Sequence, residues 1–183
     1  HFRNRFRCVT YSARGYPPSD VPADESSYSQ DIATADLLGV LDSLEIPSAH
    51  IIGLSMGAYT GLRFTLTHPD RVSTLVAASG GSGSFPQTRA QFLTETRGLA
   101  DMIRDKGNVD LPGFATSATR IQLKLKNPEL WQEFADQFVE HSATGSAYTL
   151  RGVQAGRPSL YDLEDEWRAL ETPILLMIGD EDE

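Results

Sequence analysis

The stretch Gly53-Leu54-Ser55-Met56-Gly57 lies between the apolar run His50-Ile51-Ile52 and a helix-like segment at residues 58–67. It predicts a sharp turn from a strand into a helix, with the hydroxyl group of Ser55 exposed. Such a turn strains the serine backbone, so the flanking positions need small residues, and Gly53 and Gly57 supply them. A chain of this glycine content contains the pattern by chance in roughly one case in ten, so the surrounding sequence has to support it.

The neighbouring sequence predicts an alternation of strands and helices. Strands are predicted at residues 6–12, 50–54 and 72–78, and helices at residues 28–44, with Ser26 or Ser27 as the cap, and at residues 57–67. The proline-rich residues 14–25 are predicted to form a loop, in which Arg14 is expected to have a structural role. This order of elements indicates a parallel sheet of the α/β class.

The alternation stops after residue 80. Helical stretches are predicted at residues 86–106, 114–126, 128–141, 146–154 and 159–170, and a strand returns at residues 173–178. The simplest interpretation is a core of residues 1–80 and 172–183 with a helical cap inserted at residues 81–171. The run Arg157-Pro158-Ser159, near the return to the sheet, is expected to form hinge structure.

Composition excludes several classes of partner. The chain has 183 residues and a formal net charge of -9, and it lacks the basic footprint that nucleic acid binding requires. No apolar stretch approaches the ~18 residues of a membrane span, so no membrane partner is expected. The expected location is the cytoplasm, with a targeting segment before residue 1 left open. The one cysteine, Cys8, is expected to be a buried small hydrophobic residue.

Ser55 needs two partners to act as a nucleophile. A base, usually histidine, must remove the hydroxyl proton, and a carboxylate must orient that base. The acidic cluster at residues 180–183 follows the last predicted strand, and strand ends of a parallel sheet open onto one edge, so an acid there would lie near Ser55. The backbone N–H of Met56, at the start of the following helix, would point at an oxyanion.

Four segments resemble the α/β-hydrolase superfamily. They are Tyr11-Ser12-Ala13-Arg14-Gly15-Tyr16-Pro17-Pro18-Ser19-Asp20, the Gly53 to Gly57 elbow, Thr67-His68-Pro69-Asp70-Arg71-Val72, and Pro173-Ile174-Leu175-Leu176-Met177-Ile178-Gly179-Asp180-Glu181-Asp182. The first departs from the usual D-x-R-G-x-G-x-S at Ser12 and Pro17. The resemblance implies an α/β-hydrolase fold with a helical cap, Ser55 as nucleophile and, by position in the last run, Asp182 rather than Asp180 as the triad acid.

The resemblance also implies parts that this chain does not supply. The family places three strands and an oxyanion loop before the matched region, and its catalytic histidine after the acid. His1 precedes the first predicted strand, His50 enters its strand at the edge opposite Ser55, and His68 lies at the far end of the helix that begins at Ser55. None of these three is expected to reach Ser55, and His141 is expected to be a solvated or capping residue. We therefore expect the catalytic histidine outside this chain, a chain truncated at both ends, and an incomplete sheet with a gap beside residues 50–54.

The function predicted from the sequence is serine-dependent hydrolysis of a small, fairly apolar ester or lactone through an acyl-enzyme on Ser55. The same nucleophile would serve a carbon–carbon bond hydrolase, a perhydrolase or an acyltransferase. A non-catalytic small-molecule binding protein on the same fold is the alternative from another class. No cofactor and no metal is expected, the expected partner is a small-molecule substrate, and the sequence does not specify an oligomeric state.

Overall fold

A computed structural model describes residues 2–109 and 118–179 of the chain. Within these residues the strands form one parallel sheet: β1 (Ala49–Leu54), β2 (Val72–Ala78) and β3 (Ile174–Met177). The middle strand is β2, which pairs in parallel with both of the others. The predicted strands at residues 50–54, 72–78 and 173–178 and their parallel arrangement are thereby confirmed.

The helices follow the sequence pattern closely. They are α1 (Gln30–Ser43), α2 (Met56–Thr67), α3 (Arg89–Lys106), α4 (Ala118–Lys126), α5 (Pro128–Phe138), α6 (Ala143–Tyr148) and α7 (Glu164–Arg168). A π-helix (Thr149–Gln154) continues α6, and a 3-10 turn (Leu160–Leu163) precedes α7. No strand is formed between β2 and β3 by the described residues, which agrees with the predicted helical insertion. None of the described helices has the length and apolar character needed to cross a bilayer.

The N-terminal cap of α1 differs from the prediction. The Ser29 side chain accepts a hydrogen bond of 3.1 Å from the Ile32 N–H, so Ser29 is the cap rather than Ser26 or Ser27. The reason is that Glu25–Ser27 already form a separate 3-10 turn, which the Asp24 side chain caps. The helix therefore begins after this turn, two residues later than predicted.

The main core lies between the sheet and the helices α1 and α2. Its buried members are Leu41, Ala58, Leu62, Phe64, Val72, Leu75 and Ala77. Leu160 and Trp167, which the predicted boundaries assign to the insertion, also pack against this core. A second buried cluster within the insertion consists of Ala100, Ile103, Val109 and Ala147. The sheet and one side of the insertion thus have separate apolar cores.

Two expectations for the N-terminal segment are wrong. The predicted strand at residues 6–12 is not formed, and Cys8 is exposed rather than buried. A strand is stable only where a neighbour satisfies its backbone groups, and in the described part of the chain β1 pairs with β2 alone. At the start of the segment the edge of the Phe6 ring packs against His50 of β1, with 6.2 Å between ring centres.

Candidate active site

Ser55 occupies the turn between β1 and α2 in a strained conformation. Its backbone has φ 51° and ψ -111°, a positive φ that few residues other than glycine adopt. The Ser55 N–H donates to the Ala78 carbonyl at 2.8 Å, and the Ser55 carbonyl accepts from the Tyr59 N–H at 3.1 Å. Both bonds use the backbone only. The side chain is exposed and makes no capping hydrogen bond, so its hydroxyl is open to solvent.

The two glycines of the turn have different roles. A Cβ atom on Gly53 would lie 2.6 Å from the Ala58 N and closer still to the Gly57 carbonyl, so α2 could not approach β1 as it does. A Cβ atom on Gly57 would meet nothing within 4 Å. The prediction that both glycines supply room therefore holds for Gly53 but not for Gly57 among the described residues. Gly57 instead leaves open space beside the exposed serine.

The carboxyl ends of the strands meet at one edge of the sheet. In the register of the ladder, Leu54 stands opposite Ala78, and Ala78 opposite Met177. Ser79 has a φ of 50° and donates its N–H to the Met177 carbonyl at 2.8 Å, so β2 and β3 stay joined at this edge. The end of β3 therefore lies level with Ser55. The predicted acid Asp182, like Asp180, lies outside the described residues.

Met56 opens α2. The first N–H groups of a helix have no acceptor within the helix and carry a partial positive charge. Among the described residues the Met56 N–H has no acceptor. A donor of this kind, directly after an exposed hydroxyl, can stabilise negative charge on an oxygen bound next to Ser55.

Three histidines lie within the described residues, and none of them forms a hydrogen bond with Ser55. His50 Nδ1 is 2.8 Å from the Thr74 hydroxyl, near the start of β1. His68 stacks on Phe64 after the end of α2. The His141 ring packs edge-on against Tyr16, with 5.0 Å between ring centres, and burial lowers the pKa of His141. His1 lies outside the described residues.

A network of polar contacts joins the two ends of the insertion. We call residues 79–88, which leave β2, the connector, and residues 157–160 the return segment. Three consecutive connector carbonyls accept from side chains: Ser82 from Arg157 Nη2 at 2.8 Å, Gly83 from Arg89 Nη1 at 2.7 Å, and Ser84 from Ser159 Oγ at 2.6 Å. Arg89 Nη2 also donates to the Arg157 carbonyl at 2.7 Å. The run Arg157 to Ser159 thus makes structural contacts with the connector, and its role as a hinge stays a prediction.

Tyr59 ties α2 to this network. Its hydroxyl donates to the Pro158 carbonyl at 2.6 Å, and the Arg157 guanidinium lies over its ring at 4.2 Å from the ring centre. Neither Tyr59 nor Arg89 was singled out from the sequence. The sequence pattern indicates little about either residue. Tyr59 has the pattern of an ordinary core residue of an apolar helix, and Arg89 that of a solvated residue at a helix start.

Arg14 and the groove beside it lie apart from Ser55. Arg14 forms a two-pronged ion pair with Asp36 of α1, at 2.9 and 2.6 Å, which fits the structural role expected for it. An open groove of about 380 Å³ borders this pair, and its lining includes none of the residues of the turn. Within the described residues no group of three or more histidine, cysteine or acidic side chains is arranged to hold a metal ion.

Comparisons of the sequence and of the structure with known proteins identify the same fold family. A family model described as the alpha/beta hydrolase fold matches residues 1–183. The chain is 42% identical, over 95% of its length and 66% of the relative's, to 2-hydroxy-6-oxononadienedioate/2-hydroxy-6-oxononatrienedioate hydrolase 2 of Pseudomonas putida. It is 25% identical, over 100% of its length and 64% of the relative's, to 3-oxoadipate enol-lactonase 2 of Acinetobacter baylyi.

A solved structure agrees with this match. A thermophilic esterase from Thermogutta terrifontis superimposes with a TM-score of 0.74 at 24% identity, covering 92% of this chain and 59% of the esterase. At this identity the likeness shows the fold alone. The chain spans about two thirds or less of the length of the relatives and structures that it matches.

Proposed function

The chain belongs to the alpha/beta hydrolase fold family, and from that premise we propose that it is part of a serine hydrolase that cleaves a small carboxylic ester or lactone. The single observation that carries the proposal is the state of Ser55. Its side chain is exposed, its backbone has a positive φ, and its hydroxyl does not cap the helix that follows. A serine held in this way is available for attack on a carbonyl group.

In the proposed reaction the Ser55 oxygen attacks the substrate carbonyl while a base removes its proton. The carbonyl oxygen becomes an oxyanion, to which the Met56 N–H donates. Collapse of this intermediate expels the alcohol, which takes the proton back from the base, and leaves an acyl group on Ser55. Water then attacks the acyl group by the same route and releases the acid and the free serine.

We propose Asp182 as the acid that orients the base. Support comes from the end of β3, which lies level with Ser55, so the residues that follow β3 start at the correct edge. The base is proposed to be a histidine other than His50, His68 and His141, because none of these three hydrogen-bonds Ser55. The helical insertion at residues 81–171 is proposed to cover the site and to select the substrate.

Carbon–carbon bond hydrolysis is the second candidate. The relative with 42% identity is named as a hydrolase of 2-hydroxy-6-oxononadienedioate and 2-hydroxy-6-oxononatrienedioate. These names describe hydroxy-oxo dicarboxylates, which have no ester or lactone bond to hydrolyse. Ser55 would attack the 6-oxo carbonyl carbon, and the Met56 N–H would donate to the resulting oxyanion. Cleavage of the carbon–carbon bond would then release a carbon leaving group that must be protonated. The lactonase relative favours the first candidate, so activity toward both substrate types distinguishes the two.

Covalent labelling tests the proposal. A fluorophosphonate probe should label the full-length protein, and Ser55→Ala should abolish the labelling. Ser79→Ala is a matched control, because Ser79 also ends a strand at the same edge with a positive φ of 50°. Labelling that persists in Ser55→Ala, or no labelling of the wild type, would contradict the proposal. Ligand binding without labelling or turnover would favour a binding protein instead.

A further inference from the structure

Arg157 is a buried arginine without an acidic partner in the described part of the chain. Only 4% of its surface is exposed. Nη2 donates to the Ser82 carbonyl, whereas Nη1 is buried and has no acceptor among the described residues. Burial lowers the pKa of Arg157 to about 10, which still leaves the guanidinium charged at neutral pH.

A charge in this position is costly for folding. Burying an ionised group without a carboxylate partner is unfavourable, and an apolar side chain of similar size often replaces a buried charge without loss of stability. A methionine at position 157 would cover the Tyr59 ring as well. Since Ser82 is exposed, water would satisfy its carbonyl after the loss of the arginine. The stability of this joint therefore does not require a guanidinium.

What a guanidinium adds is a fixed direction. Its planar fork aims a donor at one carbonyl while its face lies flat on an aromatic ring, which an apolar chain cannot do. In Arg157 the donor holds the connector at Ser82 and the face holds α2 at Tyr59. These two contacts fix the connector relative to the helix that begins at Ser55.

The connector passes close to the start of that helix. A Cβ atom on Gly80 would lie 2.8 Å from the Ala58 Cβ, so the connector crosses the first turn of α2 in direct contact. Tyr59 lies in the same part of α2, one turn after Ser55, whose carbonyl its N–H binds. A shift of the connector would therefore displace the first turn of α2, which carries the Met56 N–H.

We propose that Arg157 is a positioning residue, which holds the connector against the first turn of α2 and so keeps Ser55 and the Met56 N–H in reactive alignment. The inference rests on the proposed role of Ser55. The return segment would then influence the reaction through the connector and α2, without contacting the reacting atoms. The inference also predicts that loss of the guanidinium separates reactivity from stability, because a displaced first turn of α2 slows the reaction while the fold remains intact.

The test uses Arg157→Met in the full-length protein. The control is Arg168→Met, the same substitution at an exposed arginine of α7 that pairs with Glu164. The second-order rate of fluorophosphonate labelling and the thermal unfolding midpoint are measured for each. We expect Arg157→Met to label roughly ten- to a hundredfold more slowly, since a displacement of about 1 Å has effects of this size. The midpoint should stay as close to the wild type as that of the control.

A second measurement separates positioning from general structural support. In Arg157→Ala, added ethylguanidinium ion should restore part of the labelling rate, and it should not accelerate Arg168→Ala. Equal rates in the wild type and Arg157→Met would overturn the inference while leaving the proposed function intact. So would a parallel loss of rate and midpoint without rescue by ethylguanidinium. An unlabelled wild type would overturn the proposed function, and the inference with it.

Discussion

Ser55 shows how backbone strain determines what a side chain is free to do. A serine before a helix usually has an extended backbone, and its hydroxyl then caps the helix. At Ser55 the positive φ moves the residue out of that conformation, and the capping bond is absent. The strain is held by neighbours that cannot move, namely the ladder bond to Ala78 and the close approach of Gly53 to α2. The hydroxyl is therefore exposed by the fold rather than by chance.

Gly53 and Gly57 give a prediction at this scale. Gly53→Ala should lower the free energy of unfolding by about 1 to 3 kcal/mol, because its new methyl group meets backbone that cannot move aside. Gly57→Ala should change it by about 1 kcal/mol or less, in the stabilising direction, since alanine favours helix and the space is open. Urea unfolding of the two variants of the full-length protein measures both values. Equal costs for the two substitutions would contradict this difference.

The sequence predicted which residues form the turn, but not the different steric roles of its two glycines. The G-x-S-x-G pattern and its flanking apolar segments placed Ser55 between a strand and a helix. It treated Gly53 and Gly57 as equivalent, because a pattern contains no distances. The Arg157 contact with Tyr59 joins residues 98 positions apart in the sequence, and periodicity carries no information on such a pair.

At the scale of elements, helix starts depend on which hydroxyl group is free to cap them. Residues 24–29 contain one aspartate and three serines, and the chain uses Asp24 for the 3-10 turn and Ser29 for the helix. The predicted helix was correct, whereas the cap was misassigned by two or three residues. Competition between adjacent caps is decided by the path of the preceding loop, which the sequence pattern does not specify.

Ser29→Ala tests this assignment. Loss of the bond from the Ile32 N–H should lower the free energy of unfolding by about 1 kcal/mol, the usual value for a serine cap. Ser27→Ala is the control, because the Ser27 hydroxyl has no hydrogen bond among the described residues. Urea unfolding midpoints compare the two variants. A larger loss for Ser27→Ala would restore the cap predicted from the sequence.

The segment at residues 6–12 shows the limit of local pattern at the element scale. Its β-branched and aromatic residues predicted a strand, yet it remains irregular. Strand formation is decided by a partner, and a partner is a property of the whole fold. The helices, whose hydrogen bonds are internal, were predicted far more completely than this strand.

At the scale of the whole molecule, the described helices pack on one face of β1 and β2 and leave much of the other face exposed. Leu75 and Ala77 of β2 are buried beneath the helices, and the alternate residues of the ladder point the other way. On that second face Ile52 and Leu54 are 63% and 70% exposed, and Leu175 of β3 is 55% exposed. Parallel sheets in folded proteins are normally covered on both faces. This apolar face is therefore a surface that favours association.

The expected behaviour of the 183-residue chain in isolation follows from this face. Contiguous exposed apolar surface drives association, so the chain should form oligomers whose size grows with concentration in sedimentation velocity. Ile52→Lys places a charge in the middle of the face and should weaken the association. Leu125→Lys on α4 makes the same charge change at a side chain that is 70% exposed away from the sheet, and should leave the association unchanged. A monomeric wild-type chain with one cooperative unfolding transition would show that the bare face is tolerated in water. Equal effects of the two lysine substitutions would show that association depends on net charge rather than on this face.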